Sequence, residues 1–197
     1  MEGLGHESVV GSALFAVGLV VIVVGFLAVT NYNAVMALRQ RIDKAWSNID
    51  VTLKQRHDQL PSLVSAVKGT LAFEQDVLSD VTRARAAYSP TRPIPDQAAL
   101  SDETSAAVRS LFAVVEHYPD LRSRQNVLDL QHEIERLESM IADRRELYND
   151  QVYRFNTRIS TLPTLILAWA FGWTPRAFFA AEVDETTRTA IHLASDR

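Results

Sequence analysis

Near the N-terminus a run of 21 residues, from position 9 to position 29, contains no charged side chain. It reads VVGSALFAVGLVVIVVGFLAV, and as an α-helix it measures roughly 30 Å, the thickness of the hydrocarbon core of a bilayer. A cleaved signal peptide is the alternative, but such peptides combine a positively charged start, a shorter apolar run and a small-residue cleavage site. This chain begins MEGLGHES and continues into a patterned helix at Asn31. The run therefore predicts a retained transmembrane helix over residues 9–30.

The basic residues around this helix predict its orientation. Residues 1–8 contain no Lys or Arg, whereas Arg39, Arg41 and Lys44 follow the helix closely. Flanks that carry Lys and Arg stay on the cytoplasmic side of a membrane. We therefore expect residues 1–8 to form a short external N-terminus and the rest of the chain to be cytoplasmic.

Three glycines recur every seven residues within the membrane helix, at Gly11, Gly18 and Gly25. This spacing places them on one stripe, where the backbone of a second helix can approach closely. Self-association in the membrane is one interpretation. The other interpretation is that the glycines have no such role, because glycine is common in transmembrane helices in general.

Beyond the membrane helix, apolar side chains recur at spacings of three and four, the period of an α-helix, and no alternating run predicts a strand. A first long stripe extends from Val35 to Val81, with a kink expected at Pro61. A Pro-rich break at 89–96 precedes a medium helix over about 98–117. The members of the first stripe after Ile49 are Leu53, His57, Leu60, Val64, Val67, Leu71, Leu78 and Val81.

A second long stripe follows the medium helix. Its members are Val127, Leu130, Ile134, Leu137, Ile141, Arg145, Tyr148, Val152, Phe155, Ile159 and Leu162. We predict an all-α fold in which one N-terminal transmembrane helix runs into an elongated antiparallel helical bundle. The bundle, residues 31–182, has two long helices, one medium helix and short C-terminal helices, and a polar tail at 183–197 follows it.

The segment 163–181 is rich in Trp and Phe and too short to span a bilayer. Its large aromatic residues are Trp169, Phe171, Trp173, Phe178 and Phe179. They predict a contact either with protein, as a cap on the bundle or on a neighbouring subunit, or with lipid at the membrane interface. The first is favoured, because the segment lacks the strongly charged face of an interfacial helix.

Several polar residues occupy positions that suggest a bundle-register or partner-binding motif. These are Asn48, Asp50, Arg56, His57, Asp58, Arg145, Tyr148 and Asn149. Arg145 stands where its stripe calls for an apolar residue, so we expect a hydrogen bond from it to Asp50 or Asp58 that fixes the register of the long helices. Glu133, Glu135 and Glu138 alternate with Arg136 and indicate a solvated helix face.

Aromatic–Asn pairs recur at Tyr32-Asn33, Tyr148-Asn149 and Phe155-Asn156. Their Asn side chains are expected to bond either backbone groups or each other. His57 is interpreted as a core or interface histidine rather than a metal ligand, because the chain has no Cys and no two-His helical spacing.

No sequence motif of an enzyme, a metal site or a cofactor site is found, so we expect a protein that is not an enzyme and holds no cofactor or metal. Nucleic-acid binding is not expected either. The chain carries a net charge of −4, and its 17 Arg are spread along the helices rather than clustered.

Several motifs resemble those of the LemA family. They are Tyr32 to Val35, Ala45 to Val51, Lys54 to Val64, Tyr118 to Leu121, Arg145 to Asp150, Phe155 to Ile159, and Phe171 to Arg176 with Phe178-Phe179. The resemblance covers about 32–182. It implies a bacterial or archaeal inner-membrane protein with an external N-terminus, a cytoplasmic helical bundle and no settled activity, linked to envelope stress, to a membrane zinc protease and, in one branch, to magnetosome membranes.

Taken together, these features predict a non-enzymatic membrane-anchored scaffold or adaptor. It would form a homo-oligomer or dock another membrane protein, such as a zinc protease or other envelope protein. The alternative is a membrane-remodelling or membrane-sensing module that uses the segment 163–181 at the lipid interface.

Overall fold

The computed structural model describes residues 3–68 and 75–180, with side chains from Leu14 onward. These residues form α-helices and no strand, so the predicted all-α fold is confirmed. The predicted polar tail at 183–197 lies outside the described residues. The helices are α1 (Gly3–Lys68), α2 (Gln75–Ala87), α3 (Ile94–Val115), α4 (Pro119–Arg122), α5 (Gln125–Ile159) and α6 (Thr164–Phe171).

The apolar part of α1 is exposed in the structure. Its large hydrophobic side chains between Leu14 and Val29 are 47% to 76% exposed. By length and composition, α1 is the one helix among the described residues that can cross a membrane. A Cβ atom built on Gly11, Gly18 or Gly25 would meet nothing within 4 Å. The glycines therefore leave an open stripe on this helix, and the predicted self-association stays a prediction.

The described chain divides into two compact units. Unit 1 contains residues up to Ile42 together with 151–176. Here the part of α1 that follows the apolar run lies beside the end of α5. Arg158 donates a hydrogen bond to Asn31, and Arg39 lies beside Phe155. The two helices are thus antiparallel in this unit. Its buried residues are Val35, Ile42, Val152, Phe155, Ile159, Thr164 and Ala168.

Unit 2 contains residues 43–150 and the residues from Ala177 onward. Within it, the α1 segment 43–68, α2, α3 and the α5 segment 125–150 form an up-down-up-down four-helix arrangement, as hydrogen bonds and ring contacts between them show. The apolar core of this unit consists of Leu60, Leu63, Val67, Val81, Val108, Leu111, Val115, Leu121, Val127 and Ile134.

The first long helix is shorter than predicted. It contains Pro61 without a break and is described to Lys68, while a separate helix, α2, lies antiparallel to it. The ring of Tyr88, just past α2, lies 4.8 Å from that of His57. The apolar stripes of α1 and α2 have the same spacing and are buried in one core. Periodicity alone therefore predicted one continuous helix, because it does not show where the chain reverses direction. Leu71 lies outside the described residues.

The Pro-rich break is also shorter than the predicted 89–96, because α3 begins at Ile94 with Pro95 in its first turn. Proline is tolerated there, since the N–H groups of the first turn have no partner within the helix.

The buried face of α1 differs from the predicted stripe by one residue over part of its length. Arg56 and Leu63 are buried, whereas His57 and Val64 are half-buried. The count of apolar residues missed this face because a charged side chain occupies one of its core positions. The α5 stripe is buried as predicted at most positions, but Leu162 lies beyond the helix and is 72% exposed.

Candidate functional site

A proline and a glycine delimit the short helix α6. Pro163 precedes it, and Gly172 follows in the left-handed conformation with φ 64°. The Trp173 N–H donates to the Ala168 carbonyl at 2.9 Å, the six-to-one bond of a Schellman motif. A Cβ on Gly172 would meet nothing within 4 Å. Glycine is needed there for its conformation rather than for space.

Hydrogen bonds attach α6 to the position where the apolar run of α1 ends. The Asn31 Oδ1 atom accepts from Arg158 Nη2 at 2.9 Å and from Thr164 Oγ1 at 3.2 Å. Its Nδ2 atom donates to the Leu27 carbonyl one turn earlier at 2.8 Å. Thr164 is buried. One Asn side chain thus joins the last turn of the apolar run, the end of α5 and the start of α6.

Aromatic rings complete this attachment. The Tyr32 ring lies 5.3 Å from Phe171 and 5.8 Å from Trp173, and the last two rings stack at 5.5 Å with 17° between their planes. Tyr32 follows Val29 by three residues, which is roughly 4.5 Å along a helix. Both ends of α6 are therefore held at the level where the apolar run ends.

The opposite face of α6 is apolar and exposed. No charged residue occurs between Arg158 and Arg176. The exposed fractions are 46% for Leu165, 62% for Ile166 and 86% for Trp169, and Leu162, just before α6, is 72% exposed. Within the described chain this face of α6 does not cap the bundle, and its predicted contact with a neighbouring subunit or with lipid stays a prediction. We call this face the α6 apolar face.

Beyond α6 the chain is held by two of the three predicted aromatic–Asn pairs, Tyr148-Asn149 and Phe155-Asn156, which bond backbone groups. In unit 1, Asn156 Oδ1 accepts from the Arg176 N–H at 2.8 Å, and its Nδ2 donates to the Arg176 carbonyl at 2.9 Å. An Asn side chain that pairs with both backbone groups of one residue replaces the partners that a helix or sheet would supply.

In unit 2 the same device holds Phe179. Asn149 Oδ1 accepts from the Phe179 N–H at 2.8 Å, and Tyr148 donates to the Ala177 carbonyl at 2.9 Å. The Phe179 ring is fully buried, 5.7 Å from the Trp46 ring. Phe179 therefore does cap unit 2, whereas its neighbour Phe178 is 42% exposed.

The register of unit 2 rests on Arg56, which is 3% exposed. Its guanidinium donates to Glu138 Oε1 at 2.6 Å, to Ser105 Oγ at 2.8 Å and to Ser101 Oγ at 3.0 Å. The Ser105 hydroxyl donates to the other Glu138 oxygen at 2.6 Å. This set, the Arg56 cluster, links α1, α3 and α5 through charge-assisted hydrogen bonds.

The partner predicted for Arg145 is wrong. Arg145 Nη2 donates to Asp102 of α3 at 2.6 Å, and the guanidinium lies 5.0 Å from the centre of the Phe179 ring. Asp50 accepts instead from the Tyr88 hydroxyl at 3.5 Å. Besides Arg56–Glu138, Arg144 links the long helices in unit 2: its Nη1 donates to the Asn48 carbonyl at 2.7 Å and to the Thr52 hydroxyl.

Sequence reasoning missed several of these residues. Glu138 was assigned to a solvated face, which holds for Glu133 with its ion pair to Arg136 but not for Glu138. One signal was available for Arg56, since it lies three residues after Leu53 and four before Leu60, in the helical register of the core. The residues missed are Asn31, Trp46, Ser101, Asp102, Ser105, Glu138, Arg144 and Thr164.

His57 is half-buried against the Tyr88 ring, and its Nδ1 atom has no hydrogen-bond partner within the described chain. Burial lowers the pKa of His57 below its usual 6.5, and the nearby charge of Arg85 lowers it further, while Asp58 opposes this. Burial also raises the pKa of Tyr88, and the nearby charge of Asp50 raises it further. These shifts favour a neutral imidazole. Asp58 itself is exposed.

A lowered pKa in the folded protein makes stability depend on pH. The unfolded chain binds a proton at His57 near pH 6.5, before the folded protein does, so protonation favours unfolding. We expect the melting temperature of the full-length protein to be highest above pH 6.5 and to fall as the pH drops below it. In His57→Gln this fall should be smaller. His132→Gln, at an exposed position, is the matched control and should follow the wild type; identical profiles for both variants would contradict the assignment.

Within the described chain, no three His, Asp or Glu side chains lie close enough together to hold a metal ion. The candidate features described above are the α6 apolar face in unit 1, and the Arg56 cluster and the Phe179 cap in unit 2.

Comparison with known families identifies the chain. Residues 45–193 match the model of the LemA family. The chain belongs to the LemA family. The resemblance seen in the sequence is thereby confirmed, although the match begins after Tyr32-Asn33, which the resemblance included, and ends later than Glu182. No curated protein matches the chain.

Proposed function

We propose that this LemA family member is a single-pass membrane protein attached to the bilayer at two places. The first is the apolar run of α1, retained as an anchor with residues 1–8 outside and the remaining chain in the cytoplasm of a bacterium or archaeon. The second is α6, lying in the membrane interface. The observation that carries the proposal is the α6 apolar face, which is exposed and tied to the end of the apolar run through Asn31 and Tyr32.

The physical reason is the cost of exposed apolar area. Trp169 is 86% exposed beside exposed Ile and Leu side chains. Moving such apolar area out of water lowers the free energy by about 25 cal/mol per Å². Trp and Tyr are favoured at the headgroup level. The absence of a charged face on α6, which argued against an interfacial helix, has less weight here because α1 already supplies the anchoring.

The proposed role is that of a non-enzymatic scaffold or adaptor. The four-helix unit offers surfaces to a second copy of the chain or to another membrane protein, such as an envelope zinc protease. The open stripe at Gly11, Gly18 and Gly25 supports self-association through the anchors.

A membrane-remodelling or membrane-sensing role is the second candidate, and the same α6 apolar face favours it. An interfacial helix that occupies one leaflet senses and promotes curvature. Liposome diameter, measured before and after reconstitution of the full-length protein, separates the two roles: the scaffold leaves it unchanged, whereas a remodelling protein reduces it.

The absence of Cys permits a direct test with a single spin label. In Ile166→Cys of the full-length protein, reconstituted in phosphatidylcholine liposomes, we expect the label to be accessible to oxygen and shielded from a water-soluble nickel complex. Glu135→Cys, at an exposed polar position, is the control and should show the reverse. Electron paramagnetic resonance saturation measures both accessibilities.

Two other results would contradict the lipid contact. A label at position 166 that is open to nickel lies in water, and one shielded from both reagents lies against protein, which would indicate a subunit contact. Light scattering of the same full-length protein in detergent counts its chains. A monomer would contradict self-association and leave only docking of a different partner.

A further inference from the structure

A polar pocket lies in unit 1 beside the aromatic cluster at the end of the apolar run. It has a volume of about 390 Å³ and is lined by Arg39, Phe155, Phe171, Trp173, Thr174 and Arg176. We propose that this pocket binds the phosphate group of an anionic phospholipid. The inference rests on the proposed function, because it requires the end of α1's apolar run to lie at the bilayer surface.

The depth of the pocket fits this ligand. Trp173 forms one wall and lies 5.8 Å from Tyr32, which follows the apolar run by roughly 4.5 Å. The headgroup layer on each side of a bilayer is roughly 5 to 7 Å thick. The wall formed by Trp173 and Phe171 is therefore in contact with a residue of α1, Tyr32, that the proposed anchoring puts at the headgroup layer.

Arg39 supplies the charge. It lies two turns beyond Tyr32, roughly 10 Å along α1. Side chains of a helix lean toward its N-terminus, and basic residues near membrane ends reach back toward the headgroups, so an Arg at this position suits a phosphate at the bilayer surface. Arg39 is half-buried and makes no hydrogen bond or ion pair with the residues that the structure describes.

The chemistry of the lining matches a phosphate diester. A guanidinium presents a planar fork of donors that suits two phosphate oxygens at once. The Thr174 hydroxyl adds a donor, and the aromatic walls of Trp173 and Phe171 suit the glycerol and upper acyl atoms of a lipid. Asn156 fixes the backbone of Arg176 and thereby the far side of the pocket.

The matched control is Arg41, which is exposed and does not line the pocket. Purified full-length protein in detergent is titrated with phosphatidylglycerol, and native mass spectrometry counts the bound lipids. We expect Arg39→Gln to weaken phosphatidylglycerol binding about tenfold and Arg41→Gln to weaken it by no more than about twofold. Phosphatidylcholine should bind more weakly than phosphatidylglycerol to the wild type.

Equal losses in the two Gln variants would show diffuse attraction by charge and overturn the site, as would equal binding of the two lipids. Displacement of the lipid by millimolar inorganic phosphate would identify a site for free phosphate and overturn the lipid as ligand. If Arg39→Gln fails to fold by circular dichroism, Arg39→Lys decides the question. It keeps the charge but lacks the planar fork, so binding equal to the wild type would overturn the proposed geometry.

The two proposals fail separately. If the label at position 166 reports lipid but binding of phosphatidylglycerol does not depend on Arg39, only the pocket is refuted. If that label reports water, the two-place attachment is refuted and the pocket loses its position at the bilayer.

Discussion

Arg56→Met is expected to lower the free energy of unfolding by about 3 kcal/mol, the low end of the loss seen when one partner of a buried ion pair is removed. Without the guanidinium, Glu138 loses its cation, and the Ser101 and Ser105 hydroxyls lose the donor that they share. The Glu138 side chain is 28% exposed, which lets water compensate for part of the loss. Urea titration of the full-length protein in detergent, followed by the fluorescence of Trp46 and the other two tryptophans, measures the change.

Two companion variants separate the buried pair from a general effect of lost charge. Arg145→Met breaks an ion pair with Asp102 that is partly exposed, so it should cost about 1 kcal/mol or less. Arg56→Met combined with Glu138→Leu removes both charges and should recover most of the stability, since a buried pair contributes little beyond its apolar replacement. Equal losses in Arg56→Met and Arg145→Met would refute the central position of Arg56.

Phe179→Ala is expected to lower the free energy of unfolding by about 3 to 4 kcal/mol, as for other fully buried aromatic residues. The ring fills a site between Trp46 and the Arg145 guanidinium, and its removal leaves a cavity in unit 2. The backbone of Phe179 stays bonded to Asn149, which limits how far the segment can relax into that space. The same urea titration reports the loss.

Phe178→Ala is the control, because it removes the same side chain from the neighbouring position. Phe178 is 42% exposed, so we expect a change below about 1 kcal/mol. A similar loss for both variants would mean that the two rings contribute equally and would contradict the assignment of Phe179 alone as the cap of unit 2.

The contrast between these neighbours illustrates the reach of sequence reasoning. The pair Phe178-Phe179 is part of a motif of the LemA family, and its composition indicated a contact with protein or lipid. Which ring is buried depends on the hydrogen bonds of Asn149 and Tyr148 to the backbone. Such bonds join residues about 30 positions apart, and no local pattern encodes them.

The Arg56 cluster is a second feature that no local sequence pattern predicts. A count of apolar residues does not detect a buried Arg, and Arg56 can be buried only because two other helices, α3 and α5, supply acceptors to it. Periodicity identified the buried face of α5 almost completely, because there the core positions are apolar. On α1, periodicity placed His57 in the core instead of Arg56, because a count of apolar residues excludes a charged Arg.

The sequence by itself determined the helical class, the apolar run that can cross a membrane, the buried stripe of α5 and membership of the LemA family. Each of these follows from local composition, from a period of 3.6 residues, or from motifs in a fixed order. Only the tertiary structure decided the reversal between α1 and α2, the partners of Arg56, Arg144 and Arg145, and the exposure of the α6 apolar face. These depend on which distant residues meet, because the free energy of a polar or apolar side chain is set by its surroundings rather than by its neighbours in sequence.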